Sequence, residues 1–224
     1  MREIKSKSAP AISVRLTAGQ RTQQSILDAA VDLASTDGLD GLSIGRLATE
    51  LGMSKSGLFA HFGSKQDLQL ATIEAARQRF VRVIFEPALK IPRGRRRLLG
   101  LCRSWMEYAE NETFRGGCFF VAASAEFDGK PGRVRDAIAA NMREWLNSLE
   151  VAIIKTQQEG EISPAEDATQ LAFEINALFM AANWSYQLHH DRTAFSRAMK
   201  GIERRVEAVS IGKGSIRSSR KRAR

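Results

Sequence analysis

The stretch from Leu42 to Lys65 reads LSIGRLATELGMSKSGLFAHFGSK. Ser43 stands where it can cap a short helix carrying Leu47, Ala48 and Leu51, and Gly52 stops that helix. Ser54 can cap a second short helix, from Lys55 to about Phe62. Two short helices joined by Leu51-Gly52-Met53-Ser54 fit a helix-turn-helix, in which the first helix braces and the second enters a DNA major groove. A glycine in the turn permits a reversal that a side chain would obstruct. In the second helix Ser54, Lys55, Ser56 and Gly57 are small or carry donors, as close approach to base edges and phosphates demands. A helical glycine costs about 1 kcal/mol relative to alanine, so Gly57 implies a close contact. The plainer alternative is an ordinary helical hairpin.

Working outward, Thr17 with Gln20 has the form of a capping box, and Ile26, Ala29, Ala30 and Leu33 recur at helical spacing until Asp37-Gly38. On the other side, Ser64 and Asp67 signal the start of a longer helix that carries Leu68, Ala71 and Ala75 and runs to Phe85 before Pro87. Beyond Pro92, Leu98, Leu101, Cys102, Trp105, Tyr108 and Ala109 mark another helix. CFFVAASAEF, between Gly116-Gly117 and Asp128-Gly129, is a short apolar segment. Val134, Ile138, Met142, Trp145, Leu149 and Ala152 lie on one face of a long helix that closes at Gly160.

Ser163-Pro164 with Glu166 predicts the start of the next helix, which is apolar on two sides. One row is Leu171, Ile175, Phe179 and Ala182; the other is Phe173, Ala177, Met180, Ala181, Trp184 and Leu188. Such a helix is buried on both sides, against its own core and against a partner. Phe195, Ala198, Met199, Ile202, Val206 and Val209 draw a single stripe on the last helix. The sum is an all-α chain of about nine helices.

Charge is concentrated at the ends. The formal net charge is +9; Arg2, Lys5, Lys7 and Arg15 lie near the start, and Lys213, Arg217, Arg220, Lys221, Arg222 and Arg224 near the finish. These arms are either solvated tails or extra, salt-dependent contacts to a DNA backbone or minor groove. Arg93, Arg95, Arg96 and Arg97 form a further run. No apolar stretch is long enough to span a bilayer and no secretory h-region follows the basic start, so a cytoplasmic protein without membrane contact is expected. Cys102 and Cys118 are too few for a disulfide framework.

Enzymatic and metal readings find little support. There is no Gly-rich phosphate loop, no His-Glu-x-x-His and no Cys-x-x-Cys, and three histidines do not easily build a metal site. Cys118 with His189 and His190 has no spacing that marks nucleophile and base, and Cys118 on an apolar segment reads as inert. Neither an enzyme, a cofactor nor a metal is expected.

The block from Arg21 to Leu68, with Ile26, Ala29, Ala30, Leu33, Gly38, Leu42, Ser43, Leu47, Ala48, Leu51, Gly52, Ser54, Leu58, His61, Phe62, Ser64, Lys65 and Leu68 in place, resembles the DNA-binding domain of TetR/AcrR-family transcriptional regulators. The resemblance implies an all-helical homodimer, usually a repressor, with a C-terminal domain that binds a small effector and pairs two subunits. It divides the chain into a flexible basic arm at 1–16, a three-helix DNA-binding domain at 17–66, an effector-binding and dimerisation domain at 67–210, and a basic disordered tail at 211–224. It puts Ser43 at a phosphate-contacting helix start and Ser54, Lys55, Ser56, Gly57 and Leu58 in the reading helix. Phe59 stands where the family often has a tyrosine that hydrogen-bonds phosphate; a phenyl ring keeps only apolar contact with sugar or a thymine methyl. His61 lies near the backbone, and Lys65, at the positive end of the next helix, contacts phosphate. Double-stranded DNA carrying a palindromic operator is the implied partner.

The resemblance also places an effector cavity among the later helices, where Trp105, Tyr108, Phe119, Phe120, Phe127, Met142, Trp145 and Phe173 supply apolar surface and Glu126 and Asn176 supply polar anchors. These residues imply a hydrophobic or aromatic effector. The two-sided helix and the last helix imply a dimer interface of Ala177, Ala181, Trp184, Leu188, Met199, Ile202 and Val206. Two alternatives stay open: a DNA-binding architectural protein without effector, and a helical enzyme or lipid-handling protein that uses the apolar cavity.

Overall fold

The computed structural model describes residues 17–211; the two terminal arms of the sequence reading lie outside them, apart from Ile211. The sequence of helices follows from their end signals. Thr17 closes the expected capping box at the head of α1 (Ala18–Asp37): its Oγ1 accepts from the Gln20 N–H at 3.2 Å while its own N–H donates to Gln20 Oε1 at 2.8 Å. Ser43 caps α2 (Ile44–Leu51), and Gly52 leaves it at φ 62°, the left-handed conformation that glycine adopts without strain. Ser54 then caps α3 (Lys55–Phe62). Leu47 and Leu58, fully buried, bring these two short helices into one core with Ile26 and Val31 of α1.

The fourth helix, α4, is capped by Ser64, whose Oγ accepts from the Asp67 N–H at 3.0 Å. It runs through Lys65–Phe80, continues as a π-helical stretch at Val81–Phe85, and ends in a last turn at Glu86–Leu89. The widened turn has a cause: Pro87 has no N–H to give, and the Glu86 N–H reaches back to the Val81 carbonyl.

The remaining helices are α5 (Arg95–Glu110), α6 (Phe119–Phe127), α7 (Arg133–Gln158), α8 (Ala168–His189) and α9 (Thr193–Ala208). With α4 counted as one element, the described residues form nine helices and no strand, in agreement with the all-α expectation. None of these helices is long and apolar enough to cross a membrane.

The start of α8 departs from the sequence reading. Ser163 and Pro164 make a turn of their own, because the carbonyls of Ser163 and Glu166 both accept from Gln157 Nε2, at 3.0 and 2.8 Å. The Glu166 carboxylate turns to Arg205 of α9, and Asp167 caps the helix by accepting from the Thr169 and Gln170 N–H groups.

The core is continuous from the three-helix unit into the larger body. Trp105 stacks on Phe179 at a centroid distance of 4.5 Å, joining α5 to α8. The two rows of α8 separate with one exception: Leu171, Ile175, Phe179 and Ala182 are buried and Phe173, Ala177, Ala181, Trp184 and Leu188 are exposed, while Met180, expected in the outer row, is half-buried and faces the cavity beside Trp145. On α9 the structure corrects the sequence reading. Ile202 and Val206, expected on an outer interface, are 0% and 1% exposed, because their single stripe is the one that packs α9 onto its own core. Met199 is half-buried. Ile202→Ala is therefore expected to lower the unfolding free energy by about 2–5 kcal/mol in denaturant titration, with a clearly smaller loss for Met199→Ala; equal small losses would place Ile202 outside the core.

Candidate nucleic-acid interface and internal cavity

The cap of α3 organises the exposed end of the three-helix unit. Ser54 Oγ accepts from the Gly57 N–H at 3.1 Å and lies 3.2 Å from Ser56 Oγ. A Cβ on Gly57 would come within 3.0 Å of that same Oγ, which gives the glycine a local reason. Lys55, Ser56 and Phe59 are exposed together, and Phe59 leaves half of its ring, 53%, in solvent. Ser43 Oγ accepts from the Arg46 N–H at 3.2 Å, and His61 is half-buried against Phe62. Leu58 does not belong to this surface: it is fully buried, and with Phe62 it carries α3 into the core that α2 and α4 share.

Lys65 is half-exposed and already occupied. Its Nζ donates to the Asp40 carbonyl at 2.6 Å and lies 3.6 Å from the Asp40 carboxylate. That carboxylate also accepts from Lys130 Nζ at 3.0 Å, and this hydrogen bond holds Asp40 below its ordinary pKa. The loop at 38–40 thus ties the three-helix unit to the α6–α7 corner.

Glu126 completes the tie. Expected as an effector anchor, its carboxylate instead accepts from the Asp40 N–H at 3.0 Å, across the junction between the two units. Gly38 makes room for it, since a Cβ there would lie 1.9 Å from Glu126 Oε1 and φ is +86°. Deeper in the junction, Gln69 Nε2 donates to the Leu39 carbonyl at 2.9 Å. Arg79 of α4 holds Asp32 and Asp28 of α1, at 2.7 and 3.4 Å.

A small cavity lies where α4 meets the larger body, and it leaves about 40 Å³ to the centre of a water-sized sphere. Phe80 and Phe85 of α4, Phe120 and Val121 of α6 and Trp145 of α7 form aromatic and aliphatic walls. Phe80 meets Phe120 and Trp145 edge-on, with centroids 5.7 and 5.4 Å apart. The polar groups are few. Trp145 Nε1 donates to Asn176 Oδ1 at 3.0 Å, and Arg77 lies 3.7 Å from Glu144. Cys118 also lines the space, but burial raises its pKa; burial pushes the Cys102 thiol up to about 12, so neither is a ready thiolate.

Of the ten residues expected around an effector, Trp105, Phe120, Met142, Trp145 and Asn176 line this cavity. Tyr108 and Phe119 are buried behind it, Tyr108 edge-on to Phe80 and Phe114. Phe127, the last residue of α6, is buried away from the cavity lining with Lys130 over its ring, and Phe173 is on the outer row of α8. Sequence reasoning missed Arg77, Phe80 and Phe85. Their helical spacing marks them only as facing the body, and nothing local shows which apolar positions border a void. The described residues hold no group of three His, Cys, Asp or Glu side chains arranged for a metal.

Two family models match the chain. The N-terminal model, described as bacterial regulatory proteins of the tetR family, matches residues 26–72, and a tetracyclin repressor-like C-terminal domain matches residues 94–202. The chain belongs to the TetR family. It is a DNA-binding transcriptional regulator. Among solved structures, it superposes on a TetR transcriptional regulator from Chloroflexus aurantiacus with a TM-score of 0.80 at 23% identity, covering 86% of this chain and 97% of that one. A TetR-family regulator from Cytophaga hutchinsonii gives a TM-score of 0.79 at 19% identity, covering 89% and 100%. AibR in complex with isovaleryl coenzyme A and operator DNA gives 0.62 at 23%, covering 80% and 94%. No curated protein matches the chain.

In this TetR-family chain the junction at Gly38 is tight enough to test directly. Gly38→Ala is expected to destabilise by about 1–3 kcal/mol in thermal or denaturant unfolding, from backbone strain and collision with Glu126; Glu126→Ala in the same background relieves the collision and recovers part of the loss. A neutral Gly38→Ala would show that the junction yields freely.

Proposed function

We propose that the protein is a repressor that binds a palindromic operator as a homodimer and is released by a small hydrophobic effector. The observation that carries this reading is α4, which begins at Lys65 beside the reading helix and lines the cavity with Arg77, Phe80 and Phe85. Small-molecule sites commonly span about 300–1,000 Å³, so an effector cannot enter the cavity without widening it. Widening pushes Phe80 and Phe85 on α4 and Phe120 and Val121 on α6. From there α4 leads to the reading helix, and α6 leads to Glu126 and the loop at Asp40. Half-sites about 34 Å apart must both be reached, so a small tilt of either head weakens operator binding. AibR, whose structure holds isovaleryl coenzyme A with operator DNA, offers a parallel for a relative of this fold.

In this reading Ser54, Lys55, Ser56 and Gly57 approach base edges and phosphates, Phe59 packs on sugar or a thymine methyl, and Ser43, His61 and Lys65 meet the backbone. Lys65 can do so by exchanging the Asp40 carbonyl for a phosphate. The domain boundary falls inside α4, close to residue 66, so that one helix serves both units. The exposed row Phe173, Ala177, Ala181, Trp184 and Leu188 forms the twofold interface, joined by Met199 at its edge. A contiguous apolar stripe of this kind on a helix is otherwise costly to leave in water.

Lys55→Ala is expected to weaken binding to DNA fragments selected from the genome and to reduce the slope of log affinity against log salt by about one, read by fluorescence anisotropy. An unchanged affinity and slope would exclude Lys55 from the interface. Ala181→Glu with Trp184→Glu is expected to give monomers in sedimentation and to abolish tight operator binding; a persisting dimer would remove α8 from the interface.

A further inference from the structure

A second opening lies farther along the seam between α4 and α7. It is a groove of about 420 Å³, within the range that holds small ligands, unlike the inner cavity, which has room for only a few waters. Its apolar lining runs from buried Ala88 and Leu101 to exposed Leu89 and Val151. Its charges are all of one sign: Arg93, Arg97 and Lys155 line it, and no carboxylate does. Arg97 donates to the Ile91 and Leu89 carbonyls at 2.8 and 3.2 Å, which orients the guanidinium without neutralising it. Arg93 and Lys155 are exposed and have no carboxylate partner among the described residues.

Phe85 lines both the groove and the inner cavity. Its ring stands edge-on to Trp145 at 5.9 Å and 6.2 Å from Phe80, so one side chain separates the two spaces. Phe85 ends the π-helical stretch of α4, a conformation concentrated at functional sites.

An apolar trough with a cationic rim selects its occupant by charge and by length. A sugar or nucleotide leaves the apolar lining unmatched, a cationic amphiphile meets three like charges, and a neutral alkane derivative gains nothing from them. We propose that this groove binds a single-chain anionic amphiphile, a free long-chain carboxylate, with its head among Arg93, Arg97 and Lys155 and its tail directed past Phe85 toward the aromatic cavity. The proposal names the effector class for the regulator reading above. It rests on that reading for its consequence on DNA, while the binding itself is measured independently.

The test is calorimetry on the full-length protein with dodecanoate below its micellar concentration, beside dodecanol and dodecyltrimethylammonium. Dodecanoate is expected to bind at least about tenfold more tightly than either, and to weaken as salt is raised. Arg93→Ala with Lys155→Ala is expected to lose about five- to tenfold of that affinity while leaving the melting temperature and amphiphile-free DNA binding unchanged. Val151→Glu, which places a negative charge on an exposed lip of the groove, is expected to do the same. Equal affinity for the three probes, or unchanged affinity in both variants, overturns the proposal. So does capture by anionic vesicles alone, with no binding of monomeric dodecanoate. Amphiphile-free protein that binds no duplex would instead sink the regulator reading and leave the groove assignment standing.

Discussion

The rest of the molecule depends on one helix being shared by two hydrophobic cores. The first turns of α4 bury Leu68 and Ile73 with the three-helix unit, and the later turns bury Phe80 and Ile84 in the larger body. Arg79, between them, holds two carboxylates of α1 and lies over the Phe114 ring at 5.2 Å. Packed interiors resist continuous deformation, so a displacement at one end of such a helix is passed on or refused as a unit.

A second tie runs beside it. Residues at the start of α6 border the cavity, and Glu126 near its end holds the backbone of the loop that precedes α2. Lys130 and Lys65 converge on Asp40 in the same loop, from the body and from α4 respectively. These exposed ion pairs contribute little stability individually. Their effect is geometric, because three partners fix one short loop that leads directly into α2.

Much of this was legible in the sequence, and the reasons are local. Caps at Thr17, Ser43, Ser54 and Ser64 depend on a side chain and a backbone a few residues away, and the turn at Gly52 depends on one residue's conformational freedom. The two rows of α8 could be read because period alone separates them. What escaped the reading depends on distant partners. The expected capping box at Ser163 is lost because Arg205, on the last helix, draws the Glu166 carboxylate away, and Asp167 takes the cap. Glu126 reads as an effector anchor from sequence, and only the fold brings the Asp40 N–H to it. Phe173 and Phe80 belong to similar apolar patterns, yet one lies in solvent and the other walls a cavity, a difference that only packing decides.

If α4 couples the cavity to the three-helix unit, filling the cavity moves that unit. Cys102 and Cys118 are both buried, so a nitroxide can be placed at an introduced Glu50→Cys on the exposed face of α2 and the distance between the two labels of a dimer measured by pulsed electron resonance. Replacing Met142 by Trp fills the cavity from its own wall without any ligand. The label separation is expected to shift by more than about 2 Å and operator affinity to fall with it; an unchanged separation in a folded, dimeric Met142→Trp protein would show that α4 does not couple the cavity to the three-helix unit.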